Sequence, residues 1–286
     1  MKAAAAGAFA RPIVFIHGAF CGGWAFDSFR KPFEEAGFET HAPNLPHHER
    51  GGDLECLAQS GIKDFAEAIV DYARHLGAPP ILVGHSMGGL VAQIAATRLE
   101  TAGLVLIGSS PPWGVTPTTL DEAANAFGVA MLGDYWRRPI APDYPIARRT
   151  TLNRLPRDEA RRAFAKFVPE SGRAMAETVH WWLDHAMSSA APVFRIAAPV
   201  LAMAGGQDRV NPTTTLRRLV NRFPSGQAEL HEFDAMSHWL IGEPEWRLVA
   251  DATLDWLARK GLGAHEETAP KRRRVGLFPW SGAAGA

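Results

Sequence analysis

The most distinctive chemical feature of the sequence is Ser86, in the segment 84–88, Gly-His-Ser-Met-Gly. A serine flanked by glycines, after an apolar strand and before a helix, is typical of a sharp turn that exposes a nucleophilic hydroxyl group. The N–H of Met87 would then point to the place where an oxyanion forms, near the positive end of the following helix. A tight turn that merely starts a helix is the simpler alternative, but the spacing favours attack of a serine on a carbonyl carbon.

A serine nucleophile needs a base, and the chain offers 11 histidines, so position must select among them. His238 follows the last predicted strand, and Asp208 follows the strand before it. Loops after parallel strands converge at one edge of a sheet, which would bring both residues to Ser86. We therefore predict Ser86 as nucleophile, His238 as base and Asp208 as the acid that orients it. Asp184 and Asp234 are the rival acids.

A second oxyanion donor is expected in the loop 17–20, His-Gly-Ala-Phe, which follows the first predicted strand. The backbone N–H of Ala19 is the predicted donor, with the N–H of Phe20 as the alternative. His17 and His85 flank this site, and we interpret both as packing or hydrogen-bonding residues.

The elements that must position these residues follow a regular alternation. Continuous apolar runs predict buried strands over 13–16, 81–83, 104–107 and 200–203, and weaker patterns predict strands over 38–42 and 229–233. Helical spacing predicts helices over 32–36, 64–76, 90–99 and 245–257. Strands that alternate with helices indicate an α/β fold, with a mostly parallel central sheet covered by helices on both faces.

The domain organisation changes twice along the chain. Residues 11–108 and 193–260 are predicted to form the core, while 109–192, rich in Pro and Trp and without a convincing strand, is predicted to be a helical lid or cap insertion. Two ordinary crossover helices with long loops are the alternative. Residues 261–286 are predicted to be a disordered tail, although its basic segment 271–274 could also bind nucleic acid or act as a targeting signal.

The composition excludes several classes of protein. The 286 residues contain 30 Lys plus Arg and 30 Asp plus Glu, so the net charge is near zero and neither nucleic acid nor a membrane is expected as a partner. The N-terminal segment is too short and too weakly apolar for a signal peptide, and we predict a cytoplasmic protein. Its two cysteines exclude a disulfide framework. A homodimer is left open.

Taken together, these motifs resemble the α/β-hydrolase superfamily over nearly all of residues 11–258. They are the segments 14–19, 84–89, 199–201 with 205–208, and 237–239. The resemblance implies the α/β-hydrolase fold and a serine hydrolase. The segment 17–24 is similar to the esterase branch that includes plant methyl esterases and hydroxynitrile lyases. Those lyases carry a lysine after the catalytic histidine, where this chain has Trp239, and aspartate-nucleophile enzymes do not match Ser86.

The predicted reaction is hydrolysis of a small to medium, partly apolar carboxylic ester through an acyl-enzyme. No cofactor and no metal are expected, because His41, His47 and His48 lie in a loop bounded by prolines. Carbon–carbon bond hydrolysis, lactone opening and perhydrolysis use the same three residues and stay open, as does a non-catalytic ligand-binding protein.

Aromatic side chains are the candidates for the substrate pocket. Phe20 and Trp239 are adjacent to predicted catalytic positions and are the preferred candidates for its walls. Trp113, Trp136 and Trp182 are predicted from the insertion, where they could line an apolar pocket or pack the insertion onto the core. Phe127, Met131 and Trp181 share both interpretations.

Overall fold

A computed structural model of the protein describes residues 11–131 and 133–264. The strands, in chain order, are β1 (Pro12–Ile16), β2 (Glu39–His41), β3 (Ile81–His85), β4 (Gly103–Ile107), β5 (Pro139–Ile140), β6 (Glu170–Ser171), β7 (Val200–Gly205) and β8 (Ala228–Phe233). The α-helices are α1 (Lys31–Glu35), α2 (Leu54–Gln59), α3 (Ile62–Arg74), α4 (Met87–Ala96), α5 (Leu120–Ala130), α6 (Tyr144–Arg149), α7 (Arg157–Phe164), α8 (Gly172–Val179), α9 (Thr213–Val220) and α10 (Trp246–Arg259). Short 3₁₀ turns cover Gly23–Phe26, Tyr135–Arg137, Trp181–Leu183 and Val193–Arg195.

The central sheet has the strand order β2-β1-β3-β4-β7-β8, and each of its neighbouring pairs is parallel. The apolar runs of β1, β3, β4 and β7 are buried along their whole length, because helices cover both faces of the sheet. The predicted fold class, a mostly parallel sheet with helices on both faces, is confirmed. Since all six strands run the same way, the loops that follow β1, β3, β7 and β8 lie at one edge.

Alternate residues of each strand enter two separate hydrophobic cores. Val14 and Ile16 of β1 pack on one face with α3 and α4, whereas Ile13 and Phe15 pack on the other face with α1 and α10. Helix α4 is buried at every position, which is expected for the helix that lies between the sheet and its neighbour α3. Both cores therefore hold the strand that leads to Ser86.

Region 109–192 contains α5 to α8 and a feature that the sequence analysis did not predict. Strands β5 and β6 form a two-residue antiparallel ladder, in which Ile140 is paired with Glu170. Two residues are too few to show an alternating pattern, and Pro139 argues against a strand. The boundaries of the predicted insertion stay a prediction.

The predicted helix and strand boundaries are close to the structural ones, with one instructive error. Helix α4 begins at Met87, three residues before the predicted start, because Gly88 and Gly89 are poor helix formers that the packing here requires. Helices α2 and α9 were not predicted. The basic segment 271–274 and most of the predicted tail lie outside the described residues. Within residues 11–131 and 133–264, no helix combines the length and apolarity that crossing a membrane requires.

Candidate active site

Ser86 lies between the end of β3 and the first residue of α4, with φ 55° and ψ −124°. This backbone conformation is rare for a residue with a side chain, and the surrounding structure must hold it. The Ser86 N–H donates to the carbonyl of Ile107 at 3.0 Å, and the Ser86 carbonyl accepts from the N–H of Ser110 at 2.9 Å. Strand β4 and the loop after it therefore hold the turn on both sides.

The two glycines around Ser86 are required by close packing. A Cβ atom on Gly84 would lie 2.3 Å from the carbonyl oxygen of Gly88, and one on Gly88 would lie 2.2 Å from the carbonyl oxygen of Ile16. Both distances are far shorter than any real contact, so only glycine allows the helix to approach the strands this closely. The close approach gives the Ser86 hydroxyl its place at the edge of the sheet.

His238 and Asp208 form a continuous hydrogen-bonded chain with Ser86. Nε2 of His238 is 2.8 Å from Oγ of Ser86, and Nδ1 of His238 is 2.8 Å from Oδ2 of Asp208. The other carboxylate oxygen of Asp208 accepts from the N–H groups of Val210 and Asn211 at 2.7 and 2.9 Å. Because Asp208 accepts the Nδ1 proton, Nε2 of a neutral His238 is left to accept the proton of Ser86.

The loop after β1 lies directly against this chain. A Cβ atom on Gly18 would be 2.9 Å from Cβ of Ser86, so the backbone that leads to Ala19 touches the serine turn. In the described part of the chain the N–H of Ala19 has no hydrogen-bond acceptor. The N–H of Met87 is at the start of α4, where the amides lack an intrahelical acceptor. Both predicted oxyanion donors are thus available.

Phe20, the alternative donor, is already engaged. Its N–H donates to Oε2 of Glu170 at 3.1 Å, and its carbonyl accepts from the N–H of Val168 at 2.9 Å. Phe20 has φ 64°, a left-handed conformation that a bulky residue rarely adopts. Its half-buried side chain belongs to the same loop as Ala19.

His17 and His85 are buried, hydrogen-bonded and neutral. Nε2 of His17 accepts from the N–H of Leu45 at 2.9 Å, while Nε2 of His85 donates to the carbonyl of His238 at 2.8 Å. Burial lowers the pKa of each ring to about 3, and a neighbouring histidine lowers it further. Neither ring can carry a proton near neutral pH, so both fix the loops around the site.

Two residues that the sequence analysis missed hold the loops of Asp208 and His238. Oε1 of Glu243 accepts from the N–H and the hydroxyl of Ser237 at 2.9 and 2.5 Å. Nε of Arg154, from region 109–192, lies 3.3 Å from Oε2 of Glu243, and its guanidinium also reaches Gln207. Gln207 and Ser237 directly precede Asp208 and His238, so this network links the two loops.

The comparisons with known proteins agree with this architecture. The sequence model of the alpha/beta hydrolase family matches residues 13–252. The chain belongs to the alpha/beta hydrolase family. Among curated relatives, a monoacylglycerol lipase of Mycolicibacterium smegmatis is 25% identical over 259 residues, covering 86% of this chain and 87% of the relative. Phospholipase YtpA of Bacillus subtilis is 25% identical over 253 residues, covering 82% and 89%.

Solved structures show the same fold. A methylesterase from Arabidopsis superposes with a TM-score of 0.67 at 16% identity, over 87% of this chain and 99% of that one. A monoacylglycerol lipase from Paleococcus ferrophilus gives a TM-score of 0.63 at 21% identity, over 89% and 98%. The hydrolase fold of this chain is therefore established independently of its motifs.

The predicted pocket residues of this hydrolase fall into two groups. Trp239 is buried, and its ring lies edge-on to His85 at 5.5 Å and near Trp24 at 6.2 Å. Trp113 packs on Trp181, whereas Trp182 and Trp136 are about half exposed, with 47% and 48% of their surfaces accessible. Only Trp239 is thus packed against the hydrogen-bonded chain. A role of the other three indoles in substrate binding stays a prediction.

The histidines near the β2 loop do not converge on one point. His41 contacts Tyr72 and Glu39, whereas His48 turns inward to Glu170. Among residues 11–131 and 133–264, no group of three or more metal-ligating side chains is close enough to hold an ion. Cys21 is buried and Cys56 exposed, and neither is in a disulfide.

Proposed function

We propose that this hydrolase cleaves small to medium, partly apolar carboxylic esters through an acyl-enzyme on Ser86. The observation that carries the proposal is the chain from Asp208 through His238 to Ser86, with two contacts of 2.8 Å. Relatives named as lipases and esterases support an ester as the substrate class.

In the first half-reaction, Oγ of Ser86 attacks the ester carbonyl carbon while Nε2 of His238 takes the hydroxyl proton. The carbonyl oxygen becomes an oxyanion, and the N–H groups of Ala19 and Met87 donate to it. The intermediate collapses as the carbon–oxygen bond to the alcohol breaks and His238 returns the proton to the leaving oxygen. Asp208 stabilises the imidazolium ion that exists between these two proton transfers.

In the second half-reaction, water takes the place of the alcohol. His238 removes a proton from the water as it attacks the acyl carbon, and then gives that proton to Oγ of Ser86 as the acid leaves. Every step is completed by these side chains, backbone N–H groups and water, so the proposal includes no cofactor, metal or macromolecular partner.

The surroundings of the serine support a substrate of modest size. Ser86 is 8% exposed, and the buried indole of Trp239 packs on the ring beside it. A narrow, partly apolar approach favours short acyl chains over bulky polar groups. Phe20 and Trp239 are the proposed walls, and Trp113, Trp136 and Trp182 are proposed as more distant contributors.

A fluorophosphonate probe and a panel of p-nitrophenyl esters from acetate to octanoate test the proposal. The wild type should be labelled and should hydrolyse the shorter esters. Ser86→Ala should abolish labelling and lower kcat by roughly 10⁴- to 10⁶-fold, as removal of a catalytic serine does elsewhere. Retained activity in a folded Ser86→Ala variant would contradict the assignment. Labelling without turnover of any ester would favour another reaction of the same residues, and absence of labelling would favour a ligand-binding protein.

A further inference from the structure

A second buried pair of a histidine and a carboxylate lies beside the Ala19 loop, and the proposed mechanism does not use it. Nε2 of His48 lies 3.1 and 3.0 Å from the two carboxylate oxygens of Glu170. Both side chains are completely buried, and the two residues are 122 positions apart in the chain. The pair connects the loop after β2 to strand β6 of region 109–192.

The hydrogen bonds of His48 require a doubly protonated ring. Nδ1 lies 2.9 Å from the carbonyl oxygen of Pro46, which can only accept, and Nε2 faces the carboxylate of Glu170. Burial opposes a charge here, but the attraction of Glu170 and these hydrogen bonds outweigh it and raise the pKa of His48. The other titratable groups nearby are the neutral ring of His17, 5.1 Å away between ring centres, and the buried thiol of Cys21.

Glu170 also holds the conformation of the loop that carries Ala19. Its Oε2 accepts from the N–H of Phe20 at 3.1 Å, while Val168 donates to the carbonyl of Phe20 at 2.9 Å. Region 109–192 therefore holds both backbone groups of Phe20, whose φ of 64° needs such support. The N–H of Phe20 belongs to the same peptide plane as the carbonyl of Ala19. Fixing that plane restricts the direction of the Ala19 N–H, and it removes Phe20 as an oxyanion donor.

The charge of Glu170 creates a requirement of its own. A carboxylate that binds the amide next to Ala19 would oppose the negative charge of an oxyanion at Ala19, since buried charges are poorly screened. The imidazolium of His48 cancels that charge. We propose that Glu170 and His48 are positioning residues for the oxyanion contact: Glu170 orients the loop, and His48 keeps the neighbourhood of the oxyanion neutral. This inference rests on the proposed function of Ala19 and Ser86.

The test compares His48→Gln, Glu170→Gln and the double variant with a matched control. The control is Glu177→Gln, because Glu177 is also a carboxylate of region 109–192 that accepts a core N–H, that of Ile62 at 2.7 Å. It lies on α8 and binds the start of α3 rather than the Ala19 loop. For each variant, kcat and KM for a p-nitrophenyl ester are measured per Ser86 titrated with fluorophosphonate, together with Tm.

His48→Gln should lower kcat per titrated serine about ten- to hundredfold, less than the 10²- to 10³-fold loss that follows removal of an oxyanion donor. KM should change little, because the oxyanion contact forms only in the transition state. The double variant should regain most of the lost kcat, since no buried charge is left unpaired. Glu170→Gln should lose less than His48→Gln, because the amide oxygen can still accept from Phe20. Glu177→Gln should lower Tm without changing kcat.

Two results would overturn the inference. One is a His48→Gln variant whose kcat per titrated serine falls no further than that of Glu177→Gln. The other is a double variant that recovers nothing, which would exclude charge neutralisation. If His48→Gln does not fold, Glu170→Gln and the double variant decide the question alone, by a kcat at or below that of the control. If the wild type cleaves no ester, the proposed function fails separately, and the same ratios are measured on the rate of phosphonylation, which also places a negative oxygen at Ala19.

Discussion

This hydrolase contains two buried pairs of a histidine and a carboxylate at the same edge of its sheet, and they differ in one contact. His238 binds Asp208 at 2.8 Å, and His48 binds Glu170 at 3.0 Å. The second ring nitrogen of His238 faces the hydroxyl of Ser86, which can give up a proton, whereas that of His48 faces the carbonyl of Pro46, which can only accept one. A proton can therefore move through the first pair and is held in the second.

The difference teaches what separates a base from a fixed cation. Burial and a carboxylate partner are common to both rings, so neither feature identifies a catalytic histidine. The atom at the far nitrogen decides, together with access to the reacting group. His85 is a third case, because its only hydrogen bond goes to a carbonyl and burial lowers its pKa to about 3.

The largest expected effect comes from the carboxylate of the first pair. Asp208→Asn should lower kcat by roughly 10⁴-fold, because an amide at this position favours the wrong tautomer of His238. Asp184→Asn is the control: Asp184 only accepts from the N–H groups of Ala186 and Ser188 within its own turn. Steady-state kinetics on the same ester measures both. A larger loss in the Asp184 variant would move the acid to that position and break the comparison.

The second pair should appear in the pH dependence of stability. Since the folded protein raises the pKa of His48, the native state binds more protons than the unfolded state above the ordinary pKa of histidine. The stabilisation is complete below about pH 6.5 and is lost as pH rises through the raised pKa.

Thermal unfolding of the wild type between about pH 6 and about pH 9 should therefore show a fall in Tm that the His48→Gln/Glu170→Gln variant lacks. Parallel Tm curves for the two proteins would mean that the ring carries no charge in the folded state.

The smallest effect is expected at Glu243, a buried carboxylate without a histidine. Burial raises its pKa, although Ser237 and Arg154 oppose the shift. A raised carboxyl pKa makes the folded protein take up a proton, so its contribution to stability falls as pH rises from the ordinary value of 4.5 through the raised one. Glu243→Gln should flatten Tm in that acidic window and leave the alkaline window unchanged. A change confined to alkaline pH would contradict this assignment.

The sequence analysis could predict what local patterns and chain order determine. The sheet follows from continuous apolar runs, and the meeting of Ser86, Asp208 and His238 follows from loops after parallel strands. Glu170 and Arg154 left no such signal, because their contacts join distant parts of the chain and depend on the packing of region 109–192. The tautomers and charges of the histidines needed the hydrogen bonds themselves.

The complete burial of α4 has a consequence for motion. Ser86 is attached to a helix that contacts no solvent at any of its positions, and such a helix opens only when the whole domain does. Region 109–192 exposes large apolar side chains such as Phe127 and Met131, and it can open locally at a much lower cost. The nucleophile is thus fixed on the slowest clock of the molecule, and any faster movement that admits a substrate must take place around it.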